Sequence, residues 1–145
     1  MAVAGCTGIQ FGVESGSQTI LDSVKGIQKE RALQAVQWTV AAGIRATTSF
    51  MVPFPDDTLE TLHETFAFMR ELQDAGAELR MSYTAPFPGT LFHANAEELG
   101  LRILTDDWEQ FDAKHIVMET RCLDAATIER VVEREMGRLG LGKSA

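Results

Sequence analysis

The sequence predicts an α/β protein in which about three parallel strands alternate with helices and a C-terminal helical segment covers the sheet. Two observations carry that expectation. Apolar stretches open at Ile9, Ile44 and Leu79, an interval of 35 residues that suits one strand-plus-helix unit. Each stretch runs into glycine, proline or hydroxyl residues and then into a helical pattern, and strands joined by such crossovers lie parallel with right-handed connections. In that architecture the C-terminal strand ends share one face, where ligands bind. The chain has 145 residues, 45% of them hydrophobic, which suits one domain over positions 1–145.

The first strand is expected over Thr7 to Val13, where Ile9, Phe11 and Val13 alternate with smaller or polar residues and Gly12 allows close backbone approach. Ser17 reads as the N-cap of a short helix through Ile20, Leu21 and Val24 that stops at Gly26. A second helix runs from about Gln28 to Ala42, with Leu33, Val36 and Val40 on one face and Gly43 ending it. Ile44 to Val52 is the second strand, with the apolar and β-branched content of a strand covered on both faces, and Pro53-Phe54-Pro55 halts its pairing. Asp57 with Glu60 suggests a capping box for a long helix whose stripe is Leu59, Leu62, Phe66, Met69 and Leu72, closed by Gly76.

Ala77 to Thr84 is the third strand, and Pro86-Phe87-Pro88-Gly89-Thr90 is a turn in which Thr90 caps a helix through Leu99. Beyond Gly100, Thr105 caps a short helix carrying Trp108 and Phe111, and His115 to Met118 reads as a short strand. Asp124 caps a terminal helix bearing Ile128, Val131, Val132, Met136 and Leu139, followed by a frayed tail at Gly142-Lys143-Ser144-Ala145.

Lys and Arg total 13 against 21 Asp and Glu, a net charge of −8, and no segment gathers a basic stripe, which argues against nucleic acid as a partner. No apolar run reaches the ~18 residues that span a bilayer, and the opening Met1 to Gly5 lacks the features of a signal peptide, so a cytoplasmic location without membrane attachment is expected. Cys6 and Cys122 stand far apart with no Cys or His at knuckle spacing, and His63, His93 and His115 do not converge, so no metal site is expected. Trp38, Phe66, Phe68, Trp108 and Phe111 fall on helical stretches and read as packing residues, and Met51, Met69, Met81, Met118 and Met136 as core fillers.

Glu14, Ser15 and Ser17 lie where a strand end meets a helix start, so a carboxylate and backbone N–H groups face one crevice. A carboxylate there can accept two hydroxyl hydrogen bonds, as from a ribose diol. Simple capping by Ser17, with Glu14 favouring the helix start, explains the same residues.

Gly8-Ile9-Gln10-Phe11-Gly12-Val13-Glu14-Ser15-Gly16, then Lys25-Gly26, then Ser49-Phe50-Met51-Val52-Pro53-Phe54-Pro55-Asp56-Asp57-Thr58, then Pro86-Phe87-Pro88-Gly89-Thr90 resemble the second half of a radical S-adenosylmethionine domain. The likeness is to the branch that often carries an N-terminal cobalamin-binding domain, of the Mg-protoporphyrin monomethyl ester oxidative cyclase type of Fe–S oxidoreductase, and it covers most of the chain. The resemblance implies a partial TIM-like half-barrel, about strands four to six of a (β/α)6 barrel, beside a [4Fe–4S] cluster and S-adenosylmethionine. In that family a Cys-x-x-x-Cys-x-x-Cys loop supplies the cluster's thiolates, and this chain has no such loop. The expectation is therefore a fragment that supplies part of the S-adenosylmethionine-binding wall and is inactive alone, with cobalamin, if any, held upstream.

Residue by residue, the resemblance assigns Glu14, with Ser15 beside it, to the ribose. Lys25 is assigned to the methionine carboxylate, although a lysine at a helix C-terminus also suits the helix dipole. Ser49 and Met51 fall near the adenine, and Thr84 and Ala85 offer it backbone groups. Relatives usually show Gly-x-Pro-Gly where this chain has Pro53-Phe54-Pro55-Asp56, so the adenine side is expected to be altered. The alternative reading is a half-barrel interaction or assembly module without catalysis. Three parallel strands leave open edges and an uncovered apolar surface, so self-association or pairing with the missing half-barrel is expected. An independent nucleotide-binding protein ranks last, because no Gly-x-Gly-x-x-Gly or Walker spacing is present.

Overall fold

The structure, a computed structural model, describes residues 1–141; the tail expected at Gly142 to Ala145 lies outside the described residues. The elements run β1 (Gly8–Glu14), α1 (Gln18–Val24), α2 (Lys29–Ala41), β2 (Arg45–Val52), α3 (Leu59–Asp74), β3 (Glu78–Tyr83), α4 (Leu91–Ala94), β4 (Arg102–Ile103), β5 (Met118–Glu119) and α5 (Ala125–Arg138), with 3₁₀ turns at Ala2–Ala4 and Trp108–Gln110. Three parallel strands in the order β1-β2-β3 alternate with helices, as the sequence predicts, and form an open sheet rather than a closed barrel. Pairing sets Gly8 opposite Arg45 and Ile9 opposite Ala46, so the partner of Ile9 stands two residues beyond Ile44.

The chain divides into two compact units, one of Met1–Met51 with His63–Met81, the other of Val52–Leu62 with the chain from Ser82 onward. In the first unit Val13, Ala46, Phe50, Ile20, Leu21, Val36, Phe66, Met69 and Leu72 are buried. Each large apolar side chain removed from water contributes about 1.5–3 kcal/mol, and the helical and strand periods gather these residues into one core. The glycines expected to end α1, α2 and α3 do so in left-handed conformations, Gly26 at φ 66, Gly43 at φ 71 and Gly76 at φ 96.

Several local expectations are corrected. Helix α2 buries Val36 and Thr39, whereas Val40 is exposed, because the buried stripe is rotated by one residue from the expected one. Trp38 is 67% exposed, Trp108 is 56% exposed but packs on Phe111 with ring centroids 4.9 Å apart, and Phe66, Phe68 and Phe111 are buried. Strand β2 is not covered throughout: Arg45 is exposed and Ser49 and Met51 are half-buried, so one face of the sheet is open. That open face carries Gln10, Arg45, Glu78 and Arg80 and is polar, where an uncovered apolar surface was expected.

The second unit opens with Pro53-Phe54-Pro55, all buried, with Phe54 edge-on to Phe92 at 6.3 Å. The capping box lies one residue beyond its expected place: Thr58 N–H donates to Thr61 Oγ1 at 2.9 Å and Thr61 N–H to Thr58 Oγ1 at 3.3 Å. Asp57 is engaged otherwise, as described below. Thr90 caps α4 by accepting from His93 N–H, but α4 ends at Ala94 and residues 95–100 form successive turns, so the expected helix through Leu99 is one turn long. Asp107 rather than Thr105 caps the 3₁₀ turn at Trp108, and the short strand falls at Met118–Glu119, pairing antiparallel with Arg102–Ile103. Asp124 caps α5 as expected, Oδ1 accepting from Thr127 N–H at 2.7 Å, and Ile128, Val131, Val132 and Leu139 are buried. Among the described residues, no helix is long and apolar enough to cross a membrane.

Candidate functional site

The C-terminal end of β1 is distorted where the sequence turns from Gly12 to Glu14. Gly12 pairs with Ser49 and Glu14 with Phe50, so Val13 is an extra residue, a bulge in the ladder. Glu14 leaves the bulge at φ 77, in the left-handed region that costs a residue with a Cβ about 1–3 kcal/mol. The distortion turns the Glu14 carboxylate back over Gly12. A Cβ on Gly12 would stand 2.5 Å from Glu14 Oε1 and 2.9 Å from Lys25 Nζ, so glycine leaves the space that both charged groups occupy.

Lys25, the residue after α1, donates from Nζ to Glu14 Oε1 at 3.1 Å and to the Gly12 carbonyl. Thr7 O accepts from Arg45 N–H and Phe11 O from Ser49 Oγ, so the odd-numbered carbonyls of β1 face β2 and the Gly12 carbonyl faces outward. The pair is 24% exposed at Glu14 and 39% at Lys25, open enough for ligand exchange. Beside it lies an open cleft of about 670 Å³ lined by β1 from Gln10 to Val13 and by the segment from Lys25 to Ala32. Two residues assigned from the sequence to one ligand thus meet across 11 positions of chain.

The turn that follows is fixed from below. Ser15 is buried; its hydroxyl accepts from Ser17 N–H at 3.1 Å and lies 3.1 Å from Thr65 Oγ1, which also accepts from Gly16 N–H at 3.0 Å. A Cβ on Gly16 would meet the Thr65 Cα at 2.6 Å, so the turn is seated directly on α3. Ser15 is therefore placed as a support beneath Glu14, with its hydroxyl committed inside the protein. Thr65 was not singled out in the sequence, where it reads as one more position of a helical stripe. Ser17 occupies the N-cap of α1 without a side-chain cap bond, its hydroxyl buried and without a partner among the described residues.

Ser49 and Met51 lie on the end of β2, half-buried, with Ser49 Oγ donating to Phe11 O at 3.4 Å. Thr84 and Ala85 belong to the second unit. Thr84 N–H donates to Val52 O and Phe87 N–H to Ala85 O, each at 2.9 Å, and the Thr84 hydroxyl is buried without a partner among the described residues. In the same unit Asp57 is buried; Oδ2 accepts from Phe54 N–H at 2.7 Å and Oδ1 from Thr61 Oγ1 at 2.6 Å. Burial raises its pKa above the ordinary carboxylate value, opposed by those two hydrogen bonds.

His63 and His115 are exposed and His93 is half-buried, 6.4 Å from the Trp108 ring; His115 Nδ1 lies 3.0 Å from Asp112. Among the described residues no group of three or more Cys, His, Asp or Glu side chains is placed to hold a metal. Cys6 and Cys122, the chain's two cysteines, fall short of the three thiolates an iron–sulfur cluster takes, so these residues do not fit a cluster.

An α/β sheet with a carboxylate–ammonium pair at a strand end and close-packed glycines beneath it is the pattern that the sequence motifs foreshadow. Residues 1–69 match the Radical SAM superfamily. The chain is 30% identical over 135 residues to an uncharacterized methyltransferase of Pyrococcus horikoshii, covering 92% of this chain and 29% of the relative. It is also 30% identical over 122 residues to the anaerobic magnesium-protoporphyrin IX monomethyl ester cyclase of Rubrivivax gelatinosus, covering 83% of this chain and 21% of that relative. The chain spans less than a third of the length of either. The second of these relatives is of the Mg-protoporphyrin monomethyl ester cyclase kind that the motifs resemble.

Proposed function

We propose that this chain supplies part of the S-adenosylmethionine-binding wall of a radical S-adenosylmethionine enzyme and works with a cluster-bearing segment outside it. The observation that carries the reading is Glu14: a strained backbone at a strand end, its carboxylate lying where a Cβ on Gly12 would stand, with an ammonium group 3.1 Å away. Strain of that kind persists where the surroundings enforce it, and it gathers at ligand sites.

In this reading Glu14 accepts hydrogen bonds from the ribose hydroxyls, and Lys25 neutralises Glu14 and faces the methionine carboxylate. Ser49 and Met51 border the adenine. Ser15 acts through Glu14 by fixing the turn. S-adenosylmethionine supplies a sulfonium whose cleavage needs the cluster's electron, and no residue here is assigned to that step. The chain alone is thus expected to bind the nucleotide without turning over.

Titration of the full chain with S-adenosylmethionine, followed by calorimetry, tests the reading. Weak saturable binding that Glu14→Ala abolishes and Lys25→Ala weakens about tenfold is the expected result, a charged hydrogen bond contributing about 1.5–3 kcal/mol. Absence of binding at millimolar ligand would sink it.

A second reading, an assembly module, rests on the free edge of β1, an outer strand of the three-stranded sheet. The outward Gly12 carbonyl on the β1 edge has the flexible Lys25 ammonium as its partner, and edge strands take up neighbours when such guards are displaced. Pairing of β1 with a second copy, or with the other half of a barrel, is proposed on that ground.

A further inference from the structure

The open face of the sheet holds a second cleft, of about 440 Å³, whose polar walls are Gln10, Arg45, Thr47, Glu78 and Arg80. Gln10 is opposite Thr47 and Gly8 opposite Arg45, and residues paired across parallel strands present side chains to the same face. Thr47 Oγ1 lies 3.4 Å from Glu78 Oε2, and Arg80, two positions after Glu78, shares its face of β3. Among the described residues neither Arg45 nor Arg80 is in an ion pair, although Glu78 lines the same cleft.

Two unpaired guanidiniums in one polar cleft are planar donor forks that match a carboxylate or a phosphate. Glu78 decides between them. With one carboxylate already in the cleft, a monoanion leaves the site near neutral, whereas a phosphate dianion adds repulsion. Gln10 and Thr47 then offer neutral hydrogen-bonding groups along the wall.

The cleft also has a fixed distance from the Glu14 site. Gln10 borders both clefts and precedes Gly12, over which Glu14 and Lys25 sit, by two residues. One strand repeat of two residues is about 7 Å, and Arg45, opposite Gly8, lies a further repeat away, about 13 Å from Gly12. A molecule held at Arg45 and Arg80 therefore extends along the sheet face towards the nucleotide site.

We infer that Arg45 and Arg80 anchor the carboxylate of an elongated substrate whose reacting carbon stands about 7–13 Å away, at the Glu14 end of the same sheet face. Carboxylate binding rests on the cleft alone; the anchoring of a substrate rests on the reading of Glu14 given above. Binding remote from the reacting carbon positions it, so this anchor is a specificity device rather than part of the chemistry.

The test is a titration of the isotope-labelled full chain, read by amide chemical shifts, with hexanoate, its neutral isostere hexanamide, and inorganic phosphate. Hexanoate is expected to shift the amides of Gln10, Arg45, Thr47 and Arg80 saturably at millimolar concentration, hexanamide to do nothing, and phosphate to bind more weakly. Arg45→Gln and Arg80→Gln should each weaken hexanoate at least about tenfold, with partial recovery in Arg45→Lys and Arg80→Lys, while S-adenosylmethionine binding stays unchanged. Both arginines are exposed, so the variants keep the fold. No saturable shift with hexanoate, undiminished binding in the glutamine variants, or tighter phosphate binding overturns the carboxylate site. Hexanoate binding without S-adenosylmethionine binding by the unaltered chain overturns the substrate role and the Glu14 reading together, leaving the arginine cleft as a carboxylate site only.

Discussion

Glu14 holds a conformation that glycine adopts freely and other residues adopt at a cost of about 1–2 kcal/mol. Glu14→Gly relieves that strain and loses the ion pair with Lys25, which at its partial exposure contributes about 0–1 kcal/mol; Glu14→Ala loses the pair and keeps the strain. Urea unfolding should therefore find Glu14→Gly more stable than Glu14→Ala by about 1 kcal/mol, with S-adenosylmethionine binding lost in both. Equal stabilities would show that the backbone is not strained. Gly12→Ala separates geometry from charge: its Cβ contacts only the ends of two flexible side chains, so they move aside at little cost. Its unfolding midpoint should stay close to that of the unaltered chain, whereas its affinity for S-adenosylmethionine falls as far as that of Glu14→Ala. Glu14 was legible in the sequence from its place at a strand end and from the motif around it. The bulge, the left-handed φ and the contact over Gly12 were not, because they arise from the offset of β1 against β2.

Long elements with a clear period were legible, and short ones were not. Helix α3 buries Leu62, Phe66, Met69 and Leu72, as its spacing predicts, whereas Leu59, the expected start of the stripe, is exposed in the first turn. The cap of α3 lies one position beyond the expected one, since Asp57 and Thr58 are both good caps and only the tertiary fold decides between them. With Thr58 capping, Asp57 turns inward to hold Phe54 N–H and the Thr61 hydroxyl. Its folded pKa lies above the ordinary 3.8, chiefly through burial, so the folded chain takes up this proton before the unfolded chain does. The contribution of Asp57 to stability is therefore smallest at neutral pH and grows as pH falls through the raised value towards 3.8. Asp57→Asn should be free of that trend, so the difference in stability between the unaltered chain and the variant should shift in favour of the unaltered chain between pH 7 and about pH 4. Asp112 acts in the opposite sense: the Lys114 N–H and His115 hold it at about 2, so its contribution, present above 3.8, is lost only as pH falls below that value. Urea midpoints at the two pH values check the sign, and a constant difference would show that Asp57 titrates normally.

For the molecule as a whole, the open sheet decides what can join it. A strand covered on both faces was the expectation from the apolar and β-branched run Ile44 to Val52, and Ala46, Thr48 and Phe50 are buried on one side of it. The alternation of Arg45, Thr47 and Ser49 on β2 and of Glu78 and Arg80 on β3 already marks a polar face, a signal hidden by the β-branched residues between them. Association through that face gains little from burial of apolar area, so the free edges govern it. On β1 the outward Gly12 carbonyl is occupied by Lys25, a charged guard of the kind that keeps edge strands from pairing. Lys25→Met keeps the length of the side chain, removes the guard and frees the carbonyl to accept from a neighbouring strand. Sedimentation velocity over a concentration series should show weak association of the unaltered chain and association about two- to tenfold tighter in Lys25→Met, the range set by one net hydrogen bond. If Lys25 faces the nucleotide as proposed, the variant should at the same time lose affinity for S-adenosylmethionine. If both chains stay monomeric at the highest concentration, the edge of β1 is not a pairing surface and Lys25 acts for the ligand alone.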